Sequence, residues 1–212
     1  MRFSRLKLTA FAAACFLTSL VGCNVQEAVP SMLSQEGVSL ELIREVEAIA
    51  EPQVQKIVFA QMLTSEEKNY IFKKRIIEKM EVLSLTGEQT DHLNLLLANM
   101  APDMFNKNSA SARKSTQFVD EWTKKGKAIF NQAVLKDIVA SLAPSAGKTK
   151  ASTNKTAPPK NTGANCNCAS NSDWCSDGYA CTYIPSCNGQ GCGTMWIYTC
   201  SGECDIIVGG GY

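Results

Sequence analysis

Eight cysteines in the last quarter of the chain are the residues best placed to do chemistry. Cys166, Cys168, Cys175, Cys181, Cys187, Cys192, Cys200 and Cys204 fall within 39 residues, as C-x-C followed by gaps of six, five, five, four, seven and three residues. Clustered thiols can ligate metal, act as nucleophiles or oxidise to disulfides. Zinc sites want close thiolate pairs of the C-x-x-C kind, with a second pair or histidines. No C-x-x-C occurs, and the only histidine, His92, lies far away in the sequence. Reduced catalytic thiols are disfavoured in an exported chain, because the compartment is oxidising. The spacing therefore predicts four disulfides, with partners open among about 105 pairings. No nucleophile–base constellation accompanies them, so the chain reads as a non-enzyme with no cofactor and no metal.

Charge narrows the function further. Residues 164–212 carry no Lys, Arg or His, and Asp173, Asp177, Glu203 and Asp205 set this segment at −4. Residues 144–163 carry Lys148, Lys150, Lys155 and Lys160 without an acid, for +4, and residues 23–143 hold 14 basic and 16 acidic side chains. The overall +1 is thus a sum of opposed blocks, and no basic face invites nucleic acid. Attraction to anionic lipid needs cations, each contributing about 1 kcal/mol near the surface. The cysteine segment has none, which argues against general membrane disruption. Recognition of a receptor through Trp174, Tyr179, Tyr183, Trp196 and Tyr198 as aromatic anchors fits better.

The start of the chain sets the compartment. Arg2, Arg5 and Lys7 precede a mostly apolar run of 14 residues from Leu8 to Val21, too short for a membrane-spanning helix of about 20 residues. The run ends in Leu20-Val21-Gly22-Cys23, which resembles the lipobox of bacterial lipoproteins. The resemblance implies cleavage after residue 22, lipid on Cys23 and membrane attachment through it. Asn24 is not the aspartate associated with inner-membrane retention, so it implies the outer membrane in a host with two membranes. With Cys15 removed in the signal and Cys23 lipidated, eight cysteines remain to pair.

Helical elements must carry the segment between anchor and tail. Residues 23–37 read as a short tether. Val38, Leu42, Val46 and Ile49 recur at helical spacing. Pro52 then interrupts that pattern or opens a helix whose stripe is Val54, Ile57, Val58, Gln61 and Met62. Capping boxes are expected at Thr64–Glu67 and Thr86–Gln89. Phe72, Ile76, Met80 and Leu83 line the first helix they open, and Leu93, Leu96, Leu97 and Met100 the second. A last amphipathic stretch runs from about Ser111 to Leu142, with Phe118, Trp122, Ile129, Phe130 and Val134 inward and Gly126 weakening its middle. Residues 38–143 are thus a small all-α bundle.

Residues 144–163 have almost no apolar side chains and read as a disordered basic linker open to a processing protease. Residues 164–212 hold strand-like pieces at Ala180–Ile184 and Thr194–Thr199, with turns at Asn188-Gly189 and Gly191–Gly193. They predict a short twisted hairpin or three-stranded sheet stapled by disulfides worth about 2–4 kcal/mol each. Ile206 to Gly211 reads as an apolar patch and a loose end. The whole is a multi-part chain of helical bundle, linker and disulfide-rich module.

Within that module, Ala164-Asn165-Cys166-Asn167-Cys168, Trp174-Cys175, Ala180–Pro185 and Gly191–Cys200 resemble fulvocin C, a small cysteine-rich bacteriocin. Leu63–Lys68 and Leu85–Gln89 are similar to the leader part of fulvocin C-related precursors. The likeness covers about 45 residues of the module, aromatics and glycines included. It implies an antibacterial peptide carried as the tail of a larger exported protein, starting near Ala164; the aromatic anchors named above would then meet a receptor on target bacteria. The lipobox and Cys204 depart from that pattern. The competing reading is a permanently anchored envelope protein whose module binds a partner without toxicity. Cleavage in the linker separates the two.

Overall fold

The structure, a computed structural model, describes residues 33, 35–142 and 166–207. The signal segment, Cys23, most of the tether, the basic linker and the chain after Ile207 lie outside the described residues. Among those described, no helix is long and apolar enough to cross a membrane.

Six α-helices form the first part: α1 (Leu40–Ala48), α2 (Pro52–Met62), α3 (Ser65–Val82), α4 (Gly87–Asn99), α5 (Ala112–Ile129) and α6 (Gln132–Val139), with a 3-10 turn at Pro102–Phe105. Their starts follow from side-chain chemistry. Pro52 occupies the first turn of α2, where its missing amide costs nothing. Both capping boxes are present, at Thr64 with Glu67 and at Thr86 with Gln89. Glu67 does more than close its own helix. Its carboxylate is buried and accepts from the Thr64 amide at 2.8 Å and from the Ser39 amide, at the start of α1, at 3.1 Å. One side chain therefore fixes two helix N-termini to each other.

Two expectations about the helices need correction. The long last stretch is two helices, broken at Phe130, whose backbone is extended (φ −110°, ψ 152°); Asn131 then caps α6 by accepting from the Ala133 amide at 2.9 Å. The break turns Val134 outward and buries Leu135 completely. The stripe expected on α2 also faces the wrong way. Val54, Ile57 and Met62 are exposed, whereas Gln55 and Phe59 are buried. Gln55 takes a core position because its amide donates to the Val46 carbonyl at 3.0 Å, satisfying the end of α1.

The module has two small antiparallel ladders. β1 (Tyr179–Tyr183) pairs with β4 (Gly202–Ile206), Cys181 opposite Cys204, and β2 (Gln190–Cys192) pairs with β3 (Tyr198–Thr199) across a bulge. Thr194–Thr199 is not the continuous strand its composition predicts. Residues 194–196 form a 3-10 turn in which Met195 (φ 50°) and Trp196 (φ 56°) are left-handed. Four disulfides close this part: Cys166–Cys187, Cys168–Cys181, Cys175–Cys204 and Cys192–Cys200. All four are internal to the module. Yet bundle and module share one hydrophobic core, which runs from Phe59, Phe72 and Leu135 to Trp174, Met195 and Trp196.

Candidate functional site

The module presents two faces, one packed on the helices and one open. The packed face is built on the turn after β2. Gly193 (φ 73°) has no room for a side chain, since a Cβ would meet Tyr198 Cδ2 at 2.5 Å. From that turn Trp196 projects into the bundle, edge-on to Phe59 (5.1 Å, 89°) and Phe72 (5.7 Å, 89°). Its Nε1 donates to the Ala140 carbonyl at 3.1 Å, so the indole is satisfied as well as buried.

Polar groups bracket this plug. The Tyr198 hydroxyl donates to Asp120 Oδ1 at 2.6 Å. Burial first, then the Asp120 carboxylate, holds the Tyr198 phenol well above its ordinary value. The Thr194 hydroxyl is a hub, 3.0 Å from Trp174 Nε1, from Ser172 Oγ and from Thr123 Oγ1 of α5. Lys127 Nζ donates to the Asp173 carbonyl at 3.0 Å and lies 4.7 Å from the Trp174 ring centre. Lys107 donates to the Thr199 hydroxyl at 2.7 Å. Lys56 sits 5.8 Å above the Trp196 ring; burial, and then Lys136, lower its pKa to about 8. Lys136 is lowered too, by burial, with Asp173 and Asp177 acting in the opposite sense. The acidic module therefore rests on a rim of bundle lysines, three of them on helices and Lys107 in the loop before α5.

Of the five aromatic anchors named from sequence, the structure brings Trp174, Trp196 and Tyr198 together on the packed face, each 7 % exposed or less. Tyr179 and Tyr183 lie apart, on the open β1–β4 ladder. There Tyr183 is 65 % exposed, and Tyr179 stands directly opposite Ile206, which with Ile207 is also exposed. Of these two aromatic patches, the second is the one exposed among the described residues.

The eight cysteines are all paired, and the Cys168, Cys175 and Cys204 sulfurs cluster within 4.8 Å of one another. His92 stacks on Trp122 at 4.5 Å and donates from Nε2 to the Trp122 carbonyl at 3.0 Å, while Trp122 Nε1 donates to the His92 carbonyl at 2.8 Å. Burial lowers its pKa, and it serves packing. Sequence reasoning missed Phe59, Asp120, Thr123 and Lys127, the helix side of the packed face. The i, i+4, i+8 row Gln55, Phe59, Leu63 was a visible signal for Phe59. Nothing local marked the other three. No family model, curated protein or solved structure matches the chain.

Proposed function

We propose that the chain is the exported precursor of a disulfide-stapled antibacterial peptide. Cys23 carries the lipid anchor, in the outer membrane where the host has one, and a protease cuts within residues 144–163 to sever the module from that anchor. One observation carries this reading: every disulfide among the described residues lies inside the module, so a single cut in the linker leaves a covalently complete peptide. The placement of Trp174, Trp196 and Tyr198 supports it, because a toxin with its aromatic face against its own proregion is silent until processed.

Mass spectrometry of the culture medium and of the cell envelope tests the reading directly. The expected product begins near Ala164 and weighs eight hydrogens less than its reduced form, one pair per disulfide. It should inhibit related bacteria, whereas the uncut chain should not, and reduction should abolish inhibition. Absence of the cut peptide from both the medium and the cell envelope, with no inhibition by the purified oxidised module across neighbouring strains, removes the precursor reading. The exposed Tyr179, Tyr183, Ile206 and Ile207 favour the second reading, a lipid-anchored envelope protein that binds a partner through the open ladder. In that case the module stays attached, and Tyr183→Ser weakens partner binding without altering the fold.

A further inference from the structure

The contact between bundle and module has the composition of a binding interface between two proteins. Its centre is an aromatic plug, Trp196, packed edge-on against both Phe59 and Phe72, which also touch each other, and hydrogen-bonded to Ala140. Around it lie a tyrosine–carboxylate hydrogen bond and lysine contacts, Tyr198 to Asp120 and Lys127 to Asp173 among them. Tryptophan and tyrosine at a desolvated centre with polar groups around them is the arrangement that concentrates binding energy in a few residues. Close approach reinforces it: a Cβ on Gly191 would lie 3.2 Å from the Lys56 carbonyl oxygen. Among the described residues no covalent bond joins the two parts. Cutting the linker therefore removes a tether and leaves every one of these contacts in place.

We propose that the bundle is a binding protein for its own module: it retains the module after cleavage, and an emptied bundle captures a module made by another copy. The physiological sense of this rests on the precursor reading. An anchored bundle left on the producing cell would then hold the peptide off that cell, an immunity function in the same chain as the toxin. Release would require dilution below the dissociation constant, or destruction of the bundle.

The test uses the full oxidised chain with a site-specific protease sequence placed within residues 144–163. After cutting, wild-type fragments should co-elute from a sizing column at micromolar concentration. Asp120→Ala with Lys127→Ala, both at exposed positions of α5, should lose the module roughly tenfold faster or more, since a hydrogen bond to a charged group is removed. Trp196→Ala should not co-elute at all. Its uncut chain, with an open bundle, should also take up isotope-labelled module from cut wild-type protein. Wild-type fragments that separate on cutting overturn the proposal, as does retention unchanged in both variants. Labelled module that never transfers overturns capture between copies. None of these readouts involves killing, so a module that is retained but kills nothing removes the precursor reading alone.

Discussion

Gly202 shows how little room the module's interior leaves. A Cβ there would lie 2.0 Å from the Thr182 carbonyl oxygen, and backbone cannot swing aside as a flexible side chain can. Gly202→Ala should therefore prevent β1–β4 pairing, read as several oxidised species on reversed-phase chromatography where the wild type gives one. A single product with wild-type retention would contradict this. Gly126 is a milder case with a decidable sign. Alanine in a helix interior gains about 1 kcal/mol over glycine. Here, however, a Cβ meets Leu135 Cδ2 at 3.0 Å and His92 Nε2 at 3.1 Å. Leu135 is fully buried and His92 is pinned by its hydrogen bond and its stack on Trp122, so neither yields freely. Overpacking costs about 1–3 kcal/mol. Gly126→Ala should thus lower stability in urea by about 1 kcal/mol; a gain would show that the pair relaxes.

At the scale of elements, α3 is tied to α6 through charge. Arg75 and Lys79 are buried, and both reach Asp137, a lone carboxylate on α6. Removing one partner strands a buried cation. Asp137 itself is 45 % exposed, so Asp137→Leu should cost less than a fully buried pair's about 3–5 kcal/mol, read from the thermal midpoint, and a change within error would mean that neither cation depends on it. Such ties are where sequence stops being informative. Helix starts were legible at Thr64 and Thr86 because capping is chemistry within four residues. The inward faces of α3 and α4 were legible because Phe72, Ile76, Leu93 and Leu97 repeat at helical period. The faces of α2 were not, since Gln55 is buried by a partner on another helix and Phe59 by an indole more than a hundred residues away. The β3 region failed for a related reason. Thr, Trp, Ile and Tyr favour strand, but the left-handed Met195 and Trp196 are held by docking, which composition does not record. Likewise the disulfide framework was readable from spacing, while its partners needed the fold.

At the scale of the molecule, docking should depend on pH with two limbs. The docked pKa of Lys56 is about 8 against an ordinary 10.5, so its charged form is disfavoured in the complex. That penalty is full below pH 8 and is relieved as pH rises from about 8 to 10.5, so docking tightens over this interval. The Tyr198 phenol is raised from 10.0, which keeps it neutral when docked; above pH 10 the undocked form ionises and docking weakens. Retention of the cut module should therefore rise from about pH 8, peak near pH 10 and fall above it. Lys56→Met should flatten the lower limb, and Tyr198→Phe the upper one; a profile unchanged in Lys56→Met would show that this amine is not the group responsible. Attachment has its own check. Radiolabelled fatty acid should enter the wild type and not Cys23→Ser, and equal labelling of both would remove the anchor. The left-handed turn at Met195 and Trp196 also bears on how the cysteines find one another. An isomer that offers Trp196 in this backbone conformation packs against both Phe59 and Phe72, and a binder selective for one species shifts the equilibrium toward it by mass action. While thiols and disulfides still exchange, the helices act as a template that sorts about 105 possible pairings by fit. A chain reduced and reoxidised whole should converge on one isomer. The module reoxidised after separation from its helices should scatter over several.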